Sequence, residues 1–230
     1  HASLWIIIVV YLIALFAPFL APKQADFYDA QYPYAPPQQV RMYDPGNGEG
    51  FGLYVHAYTQ ELDPVSWNRE YTVDPDQPIR LELFQNTGDY YSVLGLFETD
   101  LRLFTTADPE APFYLLGADS NGRDILSRVI HGTRVSMSIG LIGVALSRVI
   151  GITLGALAGY LRGWVDALIQ RIPELFMSIP TLPLWMALAA ALPQTWGPLQ
   201  IYFGITVLLS LIGWTSLARE VRGRILSLRS

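Results

Sequence analysis

The chain has 230 residues, a net charge of −5, 51% hydrophobic residues and only 15% charged ones. It has no cysteine, which excludes disulfides, zinc-thiolate centres and thiol catalysis, and no nucleic-acid partner is expected. No phosphate-binding loop, H-E-x-x-H, G-x-S-x-G or S-x-x-K string occurs, and His1, His56 and His131 fall on separate elements, so no catalytic residue, metal or cofactor is assigned.

Residues 4–20 carry no charge across 17 positions. A helix of about 20 residues spans about 30 Å, the thickness of a bilayer's hydrocarbon core, so residues 1–22 read as a first membrane helix. A signal peptide is the alternative, against which stand the length of the apolar run and the lack of a preceding basic stretch.

Residues 23–116 hold 15 acidic and 5 basic residues, leaving a surplus of positive charge for the rest of the chain. Prolines scattered through this stretch discourage long helices. Leu53, Val55 and Ala57 alternate with Tyr54, His56 and Tyr58, and Ile79, Leu81 and Leu83 alternate with Arg80 and Glu82, the period of half-buried strands. Residues 46–52 and 86–89 are expected turns. With 17 aromatic residues the stretch reads as a small β-rich domain rather than a disordered linker. Its aromatics serve either a core or a docking or gating surface for an external partner.

Residues 116–134 read L-G-A-D-S-N-G-R-D-I-L-S-R-V-I-H-G-T-R. Gly117 and Gly122 supply turn freedom, residues 119–121 offer capping side chains, and Ile125, Leu126, Val129 and Ile130 form an apolar stripe. Arg123, Asp124 and Arg128 lie on the other face. Residues 117–134 are therefore expected to be an interfacial amphipathic helix.

Residues 135–230 form the expected membrane core. In 135–161, Gly143, Ser147, Gly151, Gly155 and Gly159 repeat every fourth residue, a face that lets helix backbones approach closely where lipid gives no hydrophobic drive for association. Its partner is another helix of this chain or a second subunit. Arg148 lies near the middle of that span, where a charge costs about 2.5 to 3.5 kcal/mol or more, so it either lines a pathway, clamps helices together or snorkels to an interface. Glu174 opens the next span, 175–192, in which Pro180 and Pro183 remove backbone donors; a broken helix beside a pathway and a structural kink are both open. Residues 199–218 carry no charge across 20 positions and continue into the basic stretch R-E-V-R-G-R-I-L-S-L-R at 219–229.

Four spans are thus expected. Arg162 and Arg171 between the second and third spans, and Arg219, Arg222, Arg224 and Arg229 after the fourth, mark the cytoplasmic side. That puts the acidic insert outside the cell and the end of the chain inside.

The string at 117–136 resembles the segment that opens the core of dipeptide and oligopeptide (nickel) ABC importer permeases, roughly L-G-T-D-x-x-G-R-D-x-x-S-R-x-I-x-G-x-R-x-S. Gly117, Asp119, Gly122, Arg123, Asp124, Ser127, Arg128, Ile130, Gly132, Arg134 and Ser136 match, and Ala118 stands where Thr is usual. The likeness continues through A-G-Y-L-R-G-W-V-D and S-I-P-T-L-P-L in the C-terminal half. It implies an α-helical polytopic inner-membrane protein, type I ABC importer permease-like, with a β-rich extracytoplasmic insert. It also implies a second permease subunit, two ATP-binding subunits on the cytoplasmic side, an extracytoplasmic substrate-binding protein, membrane lipid around the spans and no enzymatic activity of its own. Dipeptides, longer peptides, nickel chelates and opine-like compounds are all open as substrates. In the family the basic stretch leads into a loop that seats in the ATPase, and two further spans are usual, so the chain is expected to be truncated at both ends. A membrane-anchored recognition protein is the rival reading, which four spans and an intramembrane arginine disfavour; an intramembrane enzyme lacks a nucleophile.

Overall fold

The computed structural model describes residues 2–44, 50–64, 69–93, 97–108, 111–178, 180–193 and 195–228. His1, Pro45, Pro109, Arg229 and the 46–49 part of the expected turn lie outside the described residues. The chain divides into two units, His1–Arg134 and Val135–Ser230.

The first unit opens with α1 (Ala2–Leu15), apolar all round, on which Leu4, Trp5, Ile6 and Ile7 are each more than half exposed. The expected uninterrupted helix over 4–20 is instead broken at Phe16 and followed by the four-residue α2 (Ala17–Leu20). Pro18 is the physical reason: it has no amide hydrogen to continue the ladder and sits in the first turn of α2, where none is needed.

The insert is β-rich. Strands β1 (Arg41–Asp44), β2 (Gly50–Leu62), β3 (Arg69–Val93) and β4 (Phe97–Thr106) form one antiparallel sheet in chain order. Leu53 pairs with Leu81 and Val55 with Ile79, so the two alternating apolar runs meet in register. Val55, Leu81 and Phe113 are buried there, with Phe104 edge-on to Phe113 at 6.1 Å between ring centroids. Pro75 and Pro78 are accommodated where the β2–β3 register slips between His56 and Tyr58, since a bulge needs fewer donors. Residues 86–89 do not form the expected turn but another irregularity inside β3, between Asn86 and Tyr91. Asp100 replaces the missing ladder bonds: its carboxylate accepts from the Gly88 amide at 3.1 Å and its carbonyl from the Thr87 hydroxyl at 3.1 Å.

A second cluster explains much of the aromatic content. Tyr58 and Tyr114 are buried with Ala35 and Ala118, flanked by Tyr32 and Tyr71. The Tyr71 hydroxyl donates to the Pro33 carbonyl at 2.7 Å and that of Tyr58 to Pro36, so tyrosines pin a proline-rich segment that cannot join a ladder itself. Buried Gln38 completes the stitching. Its amide donates to the carbonyls of His56 and Pro112, and its carbonyl accepts from the Tyr114 amide at 2.7 Å.

In the second unit, α3 (Ile125–Leu161), which begins before the unit boundary, is followed by α4 (Gly163–Ser178), α5 (Thr181–Ala190), α6 (Pro198–Gly213) and α7 (Thr215–Leu228). The expected separate helix over 117–134 is corrected: residues 117–124 are turn and bridge, and from Ile125 one helix of 37 residues runs on without a breaker. Among the described residues two stretches are long and apolar enough to cross a bilayer, Ile125–Leu161 and Pro198–Leu228, and only 17% and 25% of their apolar windows are buried. A water-soluble core helix would be covered; these are not.

Gly122 has a φ of +71°, and a β-carbon there would lie 1.8 Å from the Asp29 carbonyl oxygen, whereas Gly88 at +76° has open space around it. Gly122→Ala is expected to cost at least about 3 kcal/mol and Gly88→Ala about 1 kcal/mol, backbone strain alone. Thermal unfolding of the purified protein in detergent measures both, and equal shifts would contradict the close approach at Gly122.

Candidate functional site

Two constellations bring together residues singled out from the sequence, one in each unit. In the first, the 117–128 string folds into a locked turn. Asp119 Oδ1 accepts from the amides of Asn121 and Arg123, both at 2.9 Å, and its other oxygen pairs with Arg128. Asp124 caps α3: its Oδ2 accepts from the Ser127 amide at 2.7 Å and from the Ser127 hydroxyl. The Ser127 oxygen in turn accepts from the Lys23 amide at 2.9 Å, 104 residues away in the chain. Gly117 and Gly122 allow the rest. The Ala118 amide donates to Ala35 and the Tyr34 amide to Asp119, both at 2.9 Å, and a β-carbon on Gly117 would meet the Ala35 carbonyl at 2.7 Å.

The electrostatics follow from burial. Asp124 is 2% exposed, and desolvation pushes its carboxyl up against the opposing hydrogen bonds from Ser127 and the charge of Lys23. Lys23 is pushed down by its own desolvation, with Asp124 opposing. Asp119 goes the other way: desolvation would raise its carboxyl, but the amides of Arg123 and Asn121 and the charge of Arg128 outweigh it and hold it below the usual carboxylate range. Arg123 keeps its Nε buried without a hydrogen-bond partner among the described residues.

In the second unit the small-residue face of α3 lies against α6 and α7. A β-carbon on Gly143 would sit 3.0 Å from Thr206, on Gly151 3.0 Å from the Trp214 carbonyl oxygen, on Gly155 2.5 Å from that of Ala218, and on Gly159 3.0 Å from Ile225. Ser147 Oγ donates to the Ser210 carbonyl at 3.3 Å, and Ser210 Oγ donates to the Gly143 carbonyl at 3.2 Å. The contacting partner is thus within the same chain.

Arg148 is exposed, without a hydrogen-bond or ion-pair partner among the described residues. It lines an open groove of about 580 Å³ together with Ile139, Gly143, Ser147, Thr206 and Leu217. Among the described residues it bonds to no second helix. Glu174 is exposed near the end of α4 and faces Arg171 at 3.8 Å, far along the helix rather than at its opening. Pro180 is the N-cap of α5 and Pro183 lies in its first turn, where amides have no intrahelical partner, so both prolines start a new helix rather than kink an old one.

Arg102, and the pairing of Asp166 with Arg222, are contacts that sequence reasoning passed over and that hold the units together internally. Arg102 is 2% exposed, and its guanidinium donates to the Ala21 carbonyl at 2.8 Å and to Thr87 Oγ1 at 3.3 Å, tying β4 to the end of α2. Nothing in T-D-L-R-L-F marks it as inward-facing. Asp166 accepts from Arg222 Nε at 2.6 Å and Nη2 at 2.5 Å; hydrogen bonding by that guanidinium holds its carboxyl below the usual range. A separation of 56 residues leaves no local pattern to reveal the pair.

Long, poorly covered apolar helices packed through glycines suit a membrane environment. Residues 151–230 match the family described as binding-protein-dependent transport system inner membrane component. Residues 2–37 match the N-terminal TM domain of oligopeptide transport permease C. The chain belongs to this permease family. It is 37% identical over 119 residues to the dipeptide transport system permease protein DppC of Lactococcus lactis, an alignment of 52% of this chain and 33% of the relative. It is 35% identical over 133 residues to the oligopeptide transport system permease protein OppC of Haemophilus influenzae, covering 58% and 41%, and 48% identical over 84 residues to the probable D,D-dipeptide transport system permease protein DdpC of Escherichia coli, covering 36% and 28%. The alignments thus span about a third of the length of these curated relatives.

Because the folded carboxyl of Asp119 is held below its unfolded value of 3.8, its contribution to stability is full above that value and is lost as pH falls through the folded one. Asp119→Asn should therefore lower the melting temperature at neutral pH and weaken the loss of stability as pH falls below about 4. Unfolding followed by tryptophan fluorescence across that range measures it, and an unchanged acid limb would contradict the role of Asp119.

Proposed function

We propose that this protein is the permease subunit of a binding-protein-dependent ABC importer, forming half of a translocation pathway for dipeptides, oligopeptides or related small solutes. The observation that carries the reading is the family match over residues 151–230, which falls on the part of the chain where α3, α6 and α7 are joined through small residues. The partners of this reading are a second permease subunit, two ATP-binding subunits on the cytoplasmic side and an extracytoplasmic binding protein that delivers the solute. The relatives' names supply the peptide class.

The distribution of charge supports an orientation with the insert outside the cell and α7 inside, since Arg219, Arg222 and Arg224 cluster at the end of the apolar stretch. Transport is by alternating access. ATP moves the equilibrium only through its differential affinity for the inward- and outward-open states, so the helices must move as packed groups rather than deform continuously. Arg148, exposed beside an open groove and without an ion-pair partner among the described residues, suits either a wet pathway or an interface with the second permease subunit, because an unpaired guanidinium in lipid is costly. The Asp119 turn fixes where the chain enters α3.

The test is uptake of radiolabelled dialanine by proteoliposomes holding the full chain with its partner permease, ATP-binding subunits and binding protein. ATP-dependent accumulation that disappears when the permease is omitted is expected. Accumulation that persists without this chain would contradict the reading. Protease added to spheroplasts checks the orientation: cleavage within residues 23–116 with the 219–228 stretch spared is expected, and the reverse would invert it.

A further inference from the structure

The corner between α3 and α4 carries a feature that the small-residue seam does not explain. Arg162 and Gly163 both adopt left-handed backbone conformations, with φ of +53° and +60°, and turn the chain sharply out of α3. Asp166 then falls in the first turn of α4, where a carboxylate also meets the positive end of the helix dipole. Its two oxygens take both prongs of the Arg222 guanidinium on α7, and the two side chains are only 17% and 32% exposed. The same helices share a buried cluster of Ala158, Ile169, Trp214 and Ala218, contributed by α3, α4, the α6–α7 junction and α7. Gly155 and Gly159 admit the backbone of α7 to contact with α3, a β-carbon on Gly159 lying 3.2 Å from the Arg222 carbonyl oxygen.

Three helices are therefore fastened at one corner by three different means: a chain reversal, a backbone-to-backbone contact and a forked ion pair. Opening the ion pair would strand two charges beside the membrane, and sliding α7 along α3 would drive its carbonyls away from positions that only glycine admits. Resting on the permease reading above, we infer that Asp166 and Arg222 are positioning residues that keep the end of α3, the start of α4 and α7 together as one rigid body throughout the transport cycle, so that force applied at α7 reaches the α3–α4 corner without slack. Neither residue touches the solute.

The test uses the full chain in the reconstituted importer with radiolabelled dialanine. Asp166→Asn and Arg222→Gln should each lower the maximal uptake rate about fivefold or more while leaving the half-saturating dialanine concentration unchanged. The exchanged pair, Asp166→Arg with Arg222→Asp, should recover at least about half of the parental rate. These 230 residues have no cysteine, so in an importer whose remaining cysteines are replaced Asp166→Cys with Arg222→Cys can be joined selectively by a short bifunctional thiol reagent. Joining should raise the uptake rate above that of the unjoined double variant. Parental rates in both single variants, an exchange no better than the singles, or a joined pair that transports no faster would each overturn the inference. A parental complex that moves no dialanine contradicts the permease reading instead; the positioning pair is then judged by joining alone, efficient with and without ATP if the two helices stay together and lost with ATP if they part.

Discussion

The closeness of α3 to α6 and α7 is the constraint on which the second unit depends. In lipid, apolar side chains gain nothing by leaving one hydrocarbon for another, so helix association must come from dispersion contact and interhelical hydrogen bonds. Gly151, Gly155 and Gly159 supply the first by admitting the Trp214 and Ala218 carbonyls and the Ile225 side chain to within about a β-carbon's reach, and the bonds from Ser147 to the Ser210 carbonyl and from Ser210 to the Gly143 carbonyl supply the second. Both terms fall away steeply with separation, so a bulky residue on that face would disturb the whole line of contacts rather than one.

The first unit solves a different problem. A polar, proline-rich segment has few backbone partners of its own, and it is held by side chains: Tyr58 and Tyr71 on the proline carbonyls, Gln38 on three separate backbone groups, and Arg102 on the end of α2. The Asp119 turn then joins that segment to α3 through Lys23, Ser127 and Asp124. The turn's glycines are needed because backbone from residues 29–35 passes against them, and its carboxylates because amides and an arginine must be satisfied there.

Periodicity made part of this legible in the sequence. Alternation over 53–57 and 79–83 located the central strand pair, and the four-residue spacing from Gly143 to Gly159 located a close-packed face, because each pattern is the direct projection of a repeating geometry. The turn residues Gly117 and Gly122 and the capping residues 119–121 were legible in the sequence, whereas the expected separate helix over 117–134 was not what forms, since nothing between Ile125 and Leu161 tells a helix to stop. Prolines were legible only in part: Pro180 and Pro183 leave a broken helix and a kink both open in the sequence and Pro18 carries no signal of its own, whereas all three occupy the starts of helices, positions that only the resulting break reveals. Contacts such as Asp166 with Arg222 or Lys23 with Ser127 join residues far apart in sequence and leave no local trace.

The central claim, that backbone contact along α3 holds the membrane-embedded unit together, is tested most directly by comparing Gly155→Ala with Gly140→Ala in the full chain in lipid nanodiscs. Both positions are helical glycines, but a β-carbon on Gly155 would lie 2.5 Å from the Ala218 carbonyl oxygen and one on Gly140 would meet nothing within 4 Å. Thermal unfolding should show a loss of roughly 5 °C or more for Gly155→Ala, on the order of 1 kcal/mol or more of overpacking, and no loss for Gly140→Ala. Equal melting temperatures for the two variants would contradict the account.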